Sequence, residues 1–182
     1  MRARIFALVL AAVMLALPLA SCTPAETTRD AADTYRERFN ALCAELGYDV
    51  YFASQADVDV SGDTFTAVMM TGLFTVTGEI KDGGVEALTV TLNDSARTYI
   101  DVSDDRDAAE LSVLFMASLP ILALTDEYET LDVEDVQAFV VETALQSLEK
   151  VQLVGDYKLK TAFRFTDDGS PEILSLAMTR VR

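Results

Sequence analysis

Two runs of carboxylates are the densest chemistry in the chain. Asp101, Asp104, Asp105, Asp107 and Glu110 crowd one short stretch. Calcium takes several oxygen ligands at once, so Asp101, Asp104, Asp105 and Asp107 are its candidate ligands. The spacing departs from an EF-hand loop. Counted from Asp101, the sixth position holds Arg106 rather than Gly, and the twelfth holds Ser112 rather than Glu. The same acids suit a helix N-terminus, where the positive end of the backbone dipole favours them without any metal. Asp126, Glu127, Glu129, Asp132, Glu134 and Asp135 form the second run. Paired carboxylates cleave glycosides only when a cleft holds them about 5–10 Å apart. No aromatic platform for a sugar stands out, and the chain has no Trp.

The missing residue types narrow the chemistry further. There is no histidine. That removes Ser-His-Asp and Cys-His catalysis and all His-based zinc, copper and haem sites. Of the two cysteines, Cys43 lies in the apolar helical stripe Tyr35, Phe39, Leu42, Cys43 and Leu46. A thiol there reads as a small buried hydrophobe, with nothing nearby to activate it. No glycine-rich phosphate loop is present. The expectation is a non-catalytic domain without a cofactor.

The elements around these residues alternate between helical and extended patterns. Asp30 to Leu46 predicts an amphipathic helix, and Gly47 a stop. Extended segments follow at Tyr48–Val60, Thr64–Met70 and Leu73–Ile80. Lys81-Asp82-Gly83-Gly84 signals a hairpin, because glycine relieves the positive φ of such turns. The returning strand sets Leu88, Val90 and Leu92 on one face. A helix is expected from Asp104, capped by Ser103, to about Leu119, with Pro120 ending or kinking it. Leu111 to Leu124 is apolar but too short and too interrupted for a membrane span, which suits a buried core helix. Asp132 is the expected cap of a further helix ending near Lys150, with Leu131 and Val136 placed as a hydrophobic staple. A last hairpin joins Tyr157–Phe165 to Ile173–Val181 through the Asp167–Pro171 turn. Helix-then-hairpin occurs twice, with too few matched residues to define a repeat. The fold class is α+β: an antiparallel sheet of five to six strands with three helices on one face.

Charge bears on partners. The chain of 182 residues carries 14 basic and 30 acidic residues, a net −16. Such a surface repels nucleic acid. The basic residues gather late, at Lys150, Lys158, Lys160, Arg164, Arg180 and Arg182. They read either as strands set beside acidic neighbours or as a patch for an anionic partner. Met69, Met70, Met116 and Met178 read as core filler, or as the lining of an adaptable apolar cavity.

The N-terminus has the three parts of a secretory signal. Arg2 and Arg4 are its positive start, Ile5 to Leu17 its apolar core, and Ala20 and Ser21 its small residues. Leu19-Ala20-Ser21-Cys22 resembles the lipobox of bacterial lipoproteins at all four positions. The resemblance implies diacylglycerol on the Cys22 thiol and cleavage before it, with acylation (palmitate or a related chain) of the new amino group. Two or more acyl chains give stable anchoring where one is marginal. Residue 23 is Thr rather than Asp, so by the same resemblance a two-membrane envelope would not retain the protein at its inner membrane.

Residues 1–21 are therefore expected to be signal peptide, 22–29 a lipidated tether, and 30–182 one α+β domain. The expected function is that of an extracytoplasmic lipoprotein. It would be held on the outer side of a cytoplasmic or outer membrane through Cys22, binding or assembling with an envelope protein. The alternative is a carrier, holding a lipid or other apolar ligand between the sheet and Leu111–Leu124. A large apolar cavity would favour the carrier, and a tightly packed core the binding module.

Overall fold

The computed structural model describes residues 24–48, 53–125, 133–146, 149–165 and 171–181. Cys22 and the signal-like segment lie outside them. So do the expected cap at Asp132, the staple residue Leu131 and most of the Asp167–Pro171 turn.

The protein is α+β. Helix α1 (Pro24–Glu45) precedes strands β1 (Val58–Ser61), β2 (Thr64–Met69), β3 (Phe74–Lys81) and β4 (Gly84–Leu92). Helices α2 (Asp94–Val102), α3 (Arg106–Leu122) and α4 (Val133–Leu145) follow, then β5 (Lys150–Val154), β6 (Tyr157–Phe165) and β7 (Pro171–Arg180). All seven strands join one antiparallel sheet in the order β1-β2-β3-β4-β7-β6-β5. Two meanders thus meet where β4 pairs with β7, Val90 opposite Leu176.

Strict alternation gives the sheet two unlike faces. Phe65, Ala67 and Met69 of β2, Phe74, Val76 and Ile80 of β3, and Leu88, Val90 and Leu92 of β4 are buried. Across the β4–β7 pairing, Leu176, Met178, Leu159 and Tyr157 continue this face. The helices cover it: α1 lies over β1–β4, α3 on β4 and β7, and α4 on β6. On the opposite face Thr64, Thr66, Thr77, Thr91, Lys158 and Lys160 are exposed.

The counts correct the expectation of five to six strands and three helices. The added strand is β5 and the added helix, among the described residues, is α2. Three boundaries also differ. Helix α1 begins at Pro24, so residues placed in the tether form its first turns. The N-cap of α3 is Asp105 rather than Ser103, its carboxylate accepting from the Ala108 amide at 3.0 Å. Pro120 lies inside α3, which runs on to Leu122.

Helix α1 ties the layers together. Its stripe of Tyr35, Phe39, Leu42 and Cys43 is fully buried, while Leu46 at the stripe's end is exposed. Tyr35 packs on Phe65 with ring centroids 5.4 Å apart. Its hydroxyl donates to the Pro120 carbonyl at 2.8 Å, satisfying an acceptor in the last turn of α3. Asn40 pairs with both backbone groups of Ala53, at 2.8 and 2.9 Å. Arg29 donates to the Val58 carbonyl at 2.9 Å, pinning the entry to β1.

Candidate functional site

Of the acids singled out from the sequence, Asp105 serves the backbone. Asp101, at the end of α2, pairs with Arg106 at 3.6 Å. Asp105 caps α3, Asp107 lies in its first turn, and Asp104 is exposed in the link before it. Among the described residues no three or more His, Cys, Asp or Glu side chains come together as a metal site. Of the second run only Asp135 has a described side chain, and it is exposed on α4. Cys43 is a free, buried thiol in the core.

The late basic residues are divided by the sheet. Lys158 and Lys160 point to the open face, where Lys160 reaches Glu149 at 3.3 Å. Lys150 forms a 2.8 Å pair with Glu142, holding the Glu142 carboxyl below its usual range. The Arg164 side chain lies outside the described residues. Arg180 differs from all of these. By alternation it shares the helix-covered face with Leu176 and Met178, at the end of β7.

Arg180 borders a cleft of about 160 Å³ at the end of the sheet. Four parts of the fold meet there. From α1 come Ala31, Thr34, Tyr35 and Arg38, spaced so that they share one side of the helix. The β3–β4 turn brings Gly83, Gly84 and Val85. Leu124, just past α3, closes a third side, and Tyr157 and Arg180 stand opposite each other on β6 and β7.

The turn is shaped by its sequence. Asp82 and Gly83 both have positive φ, 53° and 77°, as a two-residue hairpin turn with the right twist requires. A Cβ on Gly83 would come within 3.8 Å of the Thr27 methyl, so the turn lies against the first turns of α1.

Burial within the cleft is graded. Ala31, Tyr35, Val85, Leu124 and Tyr157 are buried and form an apolar floor. Thr34, Arg38, Gly83 and Arg180 are exposed and form the rim. The Arg180 guanidinium lies 5.3 Å from the Tyr157 ring centroid, a cation–π contact that orients it. The Tyr157 hydroxyl donates to the Val85 carbonyl at 3.3 Å, fixing floor to hairpin. Burial pushes the Tyr35 phenol well above its ordinary pKa, with the Cys43 thiol adding to the shift, so Tyr35 stays a neutral donor.

Two guanidinium groups therefore border one small cleft, and among the described residues no Asp or Glu lines it. The arrangement can hold an anion. Its described lining residues include no acid paired with a base. Sequence reasoning counted Arg180 among the late basic residues and did not single out Arg38. Neither spacing nor motif joins them, because they are brought together only by the β6–β7 pairing and the docking of α1.

In comparisons with protein-family models, with curated proteins and with solved structures, nothing matches this chain. No helix among the described residues is long and apolar enough to cross a membrane.

Proposed function

We propose that this chain is an extracytoplasmic lipoprotein whose mature domain binds a partner or ligand rather than catalysing a reaction. The lipobox-like Leu19-Ala20-Ser21-Cys22 supports the anchor. Lipid on Cys22 would hold the domain on the outer side of a cytoplasmic or outer membrane. With α1 starting at Pro24, the domain would stand close to that surface. Thr34, at the rim of the cleft, lies about 15 Å along the helix from Pro24 at 1.5 Å per residue.

The observation that carries the binding reading is the cleft rimmed by Arg38 and Arg180. The carrier alternative asks for apolar space beneath Leu111–Leu124. There Val113, Leu114, Met116, Leu119, Ile121 and Leu122 are buried in the core. The cleft lies at the sheet's end instead, and about 160 Å³ is well under the roughly 300–1,000 Å³ of sites that enclose whole ligands. A packed core with a small polar-rimmed cleft favours a binding module.

The anchor is tested by feeding labelled palmitate to a bacterial host producing the wild-type chain or Cys22→Ala. Label is expected on the wild type alone, in the membrane fraction. Equal labelling of both, or a wild-type chain that is unlabelled and soluble, would refute the lipoprotein reading.

A further inference from the structure

We infer that the open face of the sheet is the interface of a homodimer, in which two copies of this chain stack sheet on sheet. The inference goes beyond the proposed function and rests on neither the cleft nor the anchor.

Register lays the open face out in rows that cross the strands. One row runs from β2 to β5 as Thr64, Glu79, Ala87, Thr179, Lys158 and Leu153. The next runs as Thr66, Thr77, Thr89, Ala177, Lys160 and Val151. Most of these side chains are short, and the helices lie on the other face. Two sheets pack face to face about 10 Å apart, which such low relief permits. Glu79 is the only acid in these two rows, in a chain with 30 acids. Depletion of charge marks the core of protein interfaces. It also lets two copies of net charge −16 meet here with little local repulsion. Size is sufficient. Seven strands span about 30 Å, and the longer ones run about 25 Å. That footprint is close to the roughly 800 Å² per partner of a standard interface.

Charge selects the partner and the axis. Glu79 on β3 and Lys158 on β6 share a row, one on each side of the central β4–β7 pair. Both are exposed, and neither has an ion-pair partner among the described residues. A two-fold axis running along the strands over the β4–β7 seam sets Glu79 of each copy over Lys158 of the other. A symmetric interface then contains the contact twice. Each charge lies about 7 Å from the axis. The roughly 30° angle between packed sheets displaces the pair by only about 4 Å, within a lysine's reach. The same axis lays Thr64 and Thr66 over Leu153 and Val151, which are 68 % and 54 % exposed. A two-fold across the strands would instead stack β6 on β6 and bring lysines together. Helix α1 starts beside the β3–β4 turn, and an axis along the strands keeps that end of both copies on the same side. Two anchors in one membrane would be compatible with it.

The test is photocrosslinking in a bacterial host producing the full chain with a photoreactive residue at Ala177, beside the axis. A covalent dimer is expected, shown to be self-pairing by two different epitope tags on coexpressed copies. The same photoreactive residue at Ser112, exposed on α3, is expected to give none. Glu79→Lys and Lys158→Glu each set like charges face to face, and each is expected to cut the dimer yield at least about threefold. Combined, they exchange the charges and are expected to restore it, which a misfolded chain would not.

The proposal is overturned if Ala177 yields no dimer or if Ser112 yields as much. It falls equally if the single variants leave the yield unchanged, or if the double variant stays as low as they do. A crosslink from Ala177 to a different protein alone would remove the dimer and leave the binding module standing. Failure of palmitate labelling would remove the anchor and leave the dimer standing.

Discussion

Arg180 and Lys160 come from the same basic stretch, yet the pleat gives them opposite surroundings. Lys160 stands on the open face beside Glu149, and Arg180 rests over Tyr157 at the cleft. Composition could report their number, and alternation along β6 and β7 their faces. Only the register that sets Tyr157 opposite Arg180 gives the contact. The acids show the reverse case. Their suitability for a helix start was legible, and Asp105 caps α3, although the position of the cap lay two residues past the expected one. Glu110 is the described acid whose surroundings resist its charge. Partial burial raises its pKa, with Asp107 adding to the rise and Arg106 opposing both. An acid whose folded pKa is raised costs stability once the pH passes its unfolded value. Glu110→Gln should therefore raise the thermal midpoint near about pH 7, and the gain should vanish near about pH 3, where folded and unfolded carboxyls are both protonated. An equal gain at both pH values would show that the effect is not electrostatic.

Helices and strands were legible where their apolar period was strong. The stripe of α1 is buried except at Leu46, and β4 buries the expected Leu88, Val90 and Leu92. Helix α2 was missed because it buries only Ala96 and Ile100, one turn apart, which is too short a stripe to define a period. Strand β5 was missed for a different reason. It exposes Val151 and Leu153 and buries only Val154, so its apolar residues lie mostly on the open face. Pro120 was read as a terminator because proline removes an amide from the helix ladder. It is tolerated two residues before the end of α3, where Tyr35 takes up its carbonyl. Packing between strands sets a further limit that no pattern reveals. A Cβ built on Gly78 would lie 2.0 Å from the Phe65 ring, which covers this glycine from the paired position on β2. Gly78→Ala must displace that ring from its contact with Tyr35, and a loss of about 1–3 kcal/mol is expected in chemical denaturation. Unchanged stability would mean that the ring has room to move.

At the scale of the whole molecule, one sheet brings two features into relation. The chain enters the fold at Pro24, directly after the lipobox-like segment, and the same helix carries Thr34 and Arg38 to the cleft. An anchor at Cys22 would thus hold the cleft near a membrane surface. Fold class and buried faces could be read in advance because each is local or periodic. The cleft could not, because its walls come from α1, the β3–β4 turn, the end of α3 and two late strands. Native mass spectrometry of the protein extracted from membranes and released from detergent tests the anchor directly. The expected species begins at Cys22 and carries covalent lipid. A chain that retains residues 1–21, or one without covalent lipid, would contradict the account.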